Sequence, residues 1–282
     1  MSHNKTNMYD VEPHIAEIYD QVETYDDDVE LIRKLIGGRS PLRILEPFCG
    51  TGRILIPLAL DGQELVGLDQ AQGMLDRART KVQQLPKQVQ SRISLHKADV
   101  IKDEWPVGFD LVVLGGNCFY ELATSEEQEE CFIRAFASLR SGGYIYLDNN
   151  HMEGTLHETW QQLDVDEKAF PTGICEDGTY IQTQRERVWF DIAQRLVRYR
   201  RRTIITFLDG NTKTEEYLMQ CHPPSKVEMQ AWLENHGFTV KQVYGDRSGN
   251  SYNDESPRAI FWAEKKYTKH NHKSGSLRRK GG

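Results

Sequence analysis

The stretch Ile44-Leu45-Glu46-Pro47-Phe48-Cys49-Gly50-Thr51-Gly52-Arg53 joins an apolar run ending in an acid to a Gly-x-Gly turn at the mouth of a helix. That order presents backbone N–H groups and a helix N-terminus to a ligand lying close against the chain, which suits a carboxylate or a phosphate. A second apolar run ends at Asp69, 23 positions after Glu46, where an acid can accept both hydroxyls of a ribose. Together these residues point to an adenosine-containing cofactor. Spacing narrows the class. The nicotinamide fingerprint needs glycine at position 55, where this chain has Leu55, and no Gly-Lys-Ser/Thr of a P-loop follows Gly52. Both features count against a dehydrogenase and a nucleotide hydrolase.

These residues need a frame that holds strand ends together, and from Arg43 onward the pattern supplies one. Apolar runs at 42–46, 64–68, 92–96, 109–115 and 143–148 alternate with helical periods at 52–61, 71–85 and 126–140, which predicts a parallel sheet with crossover helices. Residues 8–38 read as two amphipathic helical pieces, the second ended by Gly37-Gly38. After His151 the period changes. Residues 152–176 show none, while 179–190, 195–208 and 212–221 are β-rich, the last two separated by Asp209-Gly210-Asn211. This predicts a three-stranded antiparallel meander inserted into the α/β domain. Ser225-Lys226-Val227-Glu228 spells a capping box for a helix ending near His236-Gly237, and two more strands follow at 238–244 and 258–264.

Composition bounds the function classes. A chain of 282 residues, 38% hydrophobic and 27% charged, can bury a sizeable core. No stretch reaches the roughly 18 apolar residues of a membrane span, and the polar start lacks a signal peptide's pattern. The five cysteines are odd in number and form no C-x-x-C, so reduced thiols in a cytoplasmic protein are the expectation, with neither disulfides nor a metal centre. Residues 265–282 hold seven Lys/Arg and no acid, so the rest of the chain is more acidic than the net charge of −7. An acidic body counts against a nucleic-acid partner. The basic end, 267–282, reads as a disordered tail.

With these elements in order, the chain resembles the class I S-adenosylmethionine-dependent methyltransferases, closely over about residues 9–150. The resemblance is carried by Glu46 to Gly52, by Val66-Gly67-Leu68-Asp69 followed by Gly73-Met74-Leu75, and by Lys97-Ala98-Asp99-Val100. It continues through Phe109 to Leu114 leading into Gly115-Gly116-Asn117-Cys118-Phe119, and through Leu139-Arg140-Ser141-Gly142-Gly143. It implies a doubly wound, Rossmann-like seven-stranded α/β sheet with an inserted antiparallel β lobe after the fifth strand. The implied organisation is N-terminal helices closing over the cofactor (1–38), a cofactor-binding core (39–151), a lid or dimer lobe (152–222), and the final helix with the last two strands (223–266). The cofactor that the resemblance implies is S-adenosylmethionine, leaving as S-adenosylhomocysteine, with the following residue roles. Glu46, Gly50 and Gly52 surround its methionine part, with Phe48 and Arg53 beside them. Asp69, with Gln70, takes the ribose, Met74 one face of the adenine, and Asp99 with Val100 its amino edge. Tyr19 resembles the N-terminal tyrosine that lies against the cofactor in small-molecule members.

Phe48 stands where the family's first motif usually has glycine, and Phe-Cys-Gly-x-Gly resembles enzymes acting on DNA or RNA bases. Base-amine methylation carries [DNS]-P-P-[YFW] after the fourth strand, whereas this chain reads Gly116-Asn117-Cys118-Phe119. The absent prolines and the single insertion favour a small-molecule acceptor, most like that of N-methyltransferases of glycine-type amines and amino sugars. A base methyltransferase and a non-catalytic protein of the same fold are the alternatives, and a monomer and a homodimer are both compatible with the chain. Methyl transfer is an in-line displacement that needs alignment more than a reactive side chain. The candidates for holding the acceptor or taking its proton are Tyr19, Asn117 and His151. Seven arginines between 185 and 202 include Arg200-Arg201-Arg202, and strand alternation must split them between two faces.

Overall fold

The computed structural model describes residues 9, 13–39, 41–151 and 160–266. The chain opens with helices α1 (Ile15–Val22) and α2 (Asp27–Ile36), the latter closed by Gly37 in the left-handed region at φ 56°. Strands β1 (Arg43–Glu46), β2 (Glu64–Asp69), β3 (Ile93–Lys97), β4 (Phe109–Leu114) and β5 (Leu139–Asn150) pair in parallel in the order β3-β2-β1-β4-β5. Helices α3 (Leu55–Leu60), α4 (Gln72–Gln83), α5 (Lys87–Gln90) and α6 (Ser125–Ser138) connect them. Helix α7 (Lys226–Asn235) leads to β10 (Phe238–Tyr244) and β11 (Arg258–Lys265), which complete seven strands, β11 lying antiparallel between β5 and β10. This is the doubly wound α/β architecture that the alternation of strands and helices predicts.

Period-two burial builds the two layers. Leu111 and Val113 of β4 face α2 and α3 with Val29, Ile32, Leu55 and Leu58, while Val112 and Leu114 face α6 and α7 with Phe132, Ala135, Met229 and Leu233. A strand buried on both faces reads as a continuous apolar run, which is why 109–114 is legible as one. Ser225 caps α7 with the full reciprocal box to Glu228. Among the described residues, no helix is long and apolar enough to cross a membrane.

Three boundaries differ from expectation. Helix α3 begins only at Leu55, because residues 52–54 are spent turning the chain out of β1. Strand β5 begins at Leu139 rather than 143, since Leu139 already pairs with Phe109. The inserted lobe is a four-stranded antiparallel sheet, β6 (Val165–Ile174), β7 (Tyr180–Asp191), β8 (Leu196–Thr206) and β9 (Thr212–Cys221), not a three-stranded meander. The additional strand is an edge. Its register breaks twice against β7, and it holds Pro171 and Gly173, residues that an edge tolerates and that erase the alternating signal. The basic tail at 267–282 lies outside the described residues.

Charge closes the frame at the sheet's carboxyl edge. Asp148 of β5 is fully buried and accepts from Arg247 Nε at 2.8 Å and Arg258 Nε at 2.5 Å. Removing one partner of a buried ion network strands the others, at about 3–5 kcal/mol. Asp148→Ala should therefore shift the chemical-denaturation midpoint strongly downward, and a midpoint equal to the parent's would show that the network carries no stability.

Candidate functional site

The strand order reverses between β1 and β4, so their carboxyl ends part and leave a crevice where doubly wound sheets bind ligands. The loop after β1 enters it. Gly50 and Gly52 have φ of 52° and 81°, a left-handed backbone that glycine adopts without cost. The Asp69 carboxylate holds the turn from the next strand, accepting from Gly50 N and Ala71 N, each at 2.8 Å. A Cβ on Gly50 would stand 3.3 Å from Met74 Cε, so α4 seals the back of the loop.

Two polar atoms at this loop have no hydrogen-bond partner among the described residues: Glu46 Oε2 and Arg53 Nε, both buried. Burial pushes the Glu46 carboxyl well above the usual range, against the pull of Arg53 and with Asp28 and Asp69 adding to the rise. Arg53 keeps its charge despite burial because Asp28 accepts from both of its terminal nitrogens, at 2.8 and 2.6 Å. The Tyr25 ring lies 4.0 Å below the Arg53 guanidinium and 4.3 Å from that of Arg247. A carboxyl oxygen and a guanidinium N–H, both waiting inside one loop, complement the ammonium and carboxylate of an amino acid.

The remaining predicted residues take distinct places. Tyr19 of α1 packs edge-on against Tyr9 and Phe170 and faces Arg53, and burial raises its hydroxyl. Met74 is buried in a small cluster with Ala16 and Ala71 that joins α1 to α4. Asp99, at the end of β3, accepts from Ile101 N at 3.0 Å and Lys102 Nζ at 2.6 Å; burial raises its carboxyl, but these donors hold it below the usual range. Val100 is buried beneath it, Gln70 is exposed, and Phe48 packs on the core rather than closing the loop. Asn117 adopts φ 62°, unusual outside glycine, and its side-chain oxygen accepts from Asn150 N at 2.7 Å, bridging β4 to β5. His151 is buried, Nδ1 donating to Ser256 O at 2.6 Å and Nε2 accepting from the Tyr252 hydroxyl at 2.9 Å, so both ring nitrogens are engaged in tying β5 to the loop before β11. Burial pushes the Cys49 and Cys118 thiols well up, which makes them packing residues.

Glu121 was not legible as a site residue. It ends a 3-10 turn (Cys118–Glu121) just past β4, where it accepts from the Tyr9 hydroxyl at 2.9 Å. Burial pushes its carboxyl up to about 7, against Tyr9 and Arg201, which lower it, and with Asp69 and Glu23 raising it further. Tyr9 and Arg201 stand 192 positions apart in the chain, so only the fold makes this neighbourhood. The one sequence signal was position, an acid seven residues beyond the end of β4.

Comparison with known proteins bears on this arrangement. The family model described as a methyltransferase domain matches residues 45–145. A Geobacillus protein carrying a methyltransferase name is 24% identical over 235 residues, covering 82% of this chain and 88% of its own. Among solved structures, the sugar N-methyltransferase KedS8 from Streptoalloteichus superposes with a TM-score of 0.67 at 16% identity, covering 95% of this chain and 99% of that one. CalS10 from Micromonospora echinaspora, an amino pentose methyltransferase solved with S-adenosylmethionine bound, gives 0.61 at 20% identity, covering 92% and 99%. At these identities the structures share the fold.

A carboxyl raised to about 7 must be ionised at a cost to the folded state above neutrality. Folded-state protonation is favoured over the unfolded chain, so this contribution is present at low pH and is lost as pH rises through 7. Glu121→Gln should then melt several degrees above the parent at pH 8, about 1–3 kcal/mol, and the gap should close by pH 5. A gap independent of pH would remove the raised carboxyl.

Proposed function

We propose that this chain, a methyltransferase through its domain at 45–145, transfers a methyl group from S-adenosylmethionine to a nitrogen of a small-molecule amine. One observation carries the cofactor: the two buried orphans, Glu46 Oε2 and Arg53 Nε, inside the Gly50–Gly52 loop. They match the ammonium and the carboxylate of a methionine tail, and each would otherwise sit uncompensated, costing about 1–3 kcal/mol. The bound group supplies an activated methyl on a sulfonium.

The chain's own residues hold and align. Glu46 and Arg53 anchor the amino-acid end, and Asp69, already bonded to the loop, offers its carboxylate to the ribose. Asp99, with Val100, faces the adenine edge. Tyr19 and Asn117 position the reacting ends, and His151 acts through the strand it braces. In-line transfer needs donor carbon and acceptor within roughly 3–3.5 Å in a site closed to water, which positioning of this kind achieves. The amine acceptor is supported by the fold neighbours named for amino-sugar methylation and by an acidic body that suits a cation better than a polyanion.

Calorimetric titration with S-adenosylmethionine and S-adenosylhomocysteine, with NADH as control, should give binding with the first two only. Glu46→Gln should weaken both by about 10- to 100-fold, the equivalent of roughly 1.5–3 kcal/mol for a bond to a charged group. Equal affinity in the variant would sink the methionine-tail assignment. Radiolabelled methyl should then pass to amines and amino sugars, and transfer to RNA alone would replace the amine reading with a base methyltransferase.

A further inference from the structure

Where the turn after β4 meets the inner face of the four-stranded sheet, a second set of polar groups gathers that cofactor binding does not use. Strand register aligns Arg185 of β7, Arg201 of β8 and Tyr217 of β9 across one face. Arg201 is buried while its neighbours Arg200 and Arg202 are exposed, so alternation sends this one guanidinium inward. It donates to the Phe170 carbonyl and faces the Tyr217 hydroxyl, yet Arg201 Nε and the Tyr217 oxygen are both buried with no partner at hydrogen-bond distance among the described residues. Glu121, held by Tyr9, shares the same charge environment as Arg201 and Tyr217. Tyr9 in turn touches Tyr19 and Phe170, with ring centroids 6.2 and 6.0 Å away, and Tyr19 faces Arg53 of the cofactor loop. The cluster is therefore joined, through Tyr9 and Tyr19, to the loop that holds Arg53.

We propose that this cluster is the acceptor subsite and takes a protonated amine bearing a hydroxyl on a neighbouring carbon, Glu121 receiving the ammonium and then its proton, and Arg201 with Tyr217 holding the hydroxyl. This rests on the methyltransferase reading above and deepens it. The unpartnered N–H of Arg201 donates to the acceptor's oxygen, and the Tyr217 oxygen accepts from its O–H. The ammonium gives one proton to the Glu121 carboxylate, which frees the nitrogen lone pair. That pair forms the new N–C bond while the methyl carbon leaves the sulfonium sulfur, which keeps the C–S electrons. The product departs as an N-methylammonium, and Glu121 returns its proton to water. A base is most effective when it titrates near the working pH, and Glu121 does so. The titratable groups that face it are the neutral hydroxyls of Tyr9, ahead of α1, and Tyr217 of β9, with the charged Glu23 after α1, Asp69 at the end of β2 and Arg201 of β8. The nearby thiols of Cys118 and Cys221 stay neutral through burial.

The test needs no cofactor, so its failure is separable from failure of the methyl-donor reading, which rests on calorimetry with S-adenosylmethionine. The probe is trans-2-aminocyclohexanol, compared with cyclohexanol, titrated calorimetrically into the whole protein between pH 6 and 8. Affinity for the aminoalcohol should rise about tenfold as Glu121 ionises across that range, and Glu121→Gln should flatten the profile and weaken binding at pH 8 by about tenfold or more. Carbon-13 NMR of labelled glutamate provides a readout independent of any ligand. One carboxyl should titrate near 7, vanish in Glu121→Gln, and move upward in Tyr9→Phe, which removes the donor that lowers it. Three results would overturn the proposal: no binding of the aminoalcohol at millimolar concentration, cyclohexanol binding as tightly, or a Glu121→Gln protein that keeps the parent's affinity and pH profile.

Discussion

The structure depends on bringing two fully buried acidic side chains, Asp28 and Asp148, to the carboxyl edge of the sheet and pairing both. Neither could stay there unpaired, since an isolated buried charge costs several kcal/mol. Three guanidinium groups answer them. Arg53 holds Asp28 at 2.6 Å, Arg247 reaches Asp148 at 2.8 Å and Asp28 at 3.7 Å, and Arg258 completes Asp148. Tyr25, lying against two of these guanidinium groups, adds an aromatic face to each. The chain segments joined are α2, the loop after β1, β5, and the entrance to β11. Helix α2, whose apolar face already packs on the strands, is thus also locked by charge to the carboxyl edge of the sheet.

This network also decides what is left over. Because Asp28 takes both terminal nitrogens of Arg53, the Nε of the same group is held in place without a partner, and Glu46 is crowded by other carboxylates with one oxygen unsatisfied. Native interiors leave few such atoms, and these two lie on either side of a glycine turn at the carboxyl end of β1. Asp69 contributes differently. Its oxygens already bind the N–H groups of Gly50 and Ala71, so the geometry of the turn and the orientation of the carboxylate are set by the same contacts, and a group so preorganised carries no ordering cost into binding.

Much of this was legible from residue order because the parallel strands are buried on both faces. Runs such as 109–114 need no tertiary information, and the glycines at 50 and 52 announce a left-handed turn. The edge strand at 165–174 was illegible for the opposite reason, since proline, glycine and two register breaks remove its period. Arg201 shows a third regime: alternation required that some arginine of the 200–202 run point inward, but which one depends on register against β7 and β9. Glu121 and Tyr9 are 112 positions apart, and nothing local in either says that they meet. His151 was an expected proton acceptor by residue type, yet its ring bridges Ser256 and Tyr252, contacts that only the return of β11 beside β5 creates.

Environment then divides identical side chains between tasks. Asp99 and Glu121 both follow strand ends at the carboxyl edge of the sheet, and residue type alone would treat them alike. Backbone N–H groups and Lys102 hold the Asp99 carboxyl below the usual range against its burial. Glu121 has a single neutral donor in Tyr9 and a guanidinium that is shared with the Phe170 carbonyl, too little to offset its burial, so its proton is exchangeable near neutrality. Carboxyls driven apart in this way are how one site supports both binding and proton transfer. The inserted lobe shares in the second environment, because Arg201 of β8 pulls down the carboxyl that burial raises and β9 packs against the turn that carries Glu121.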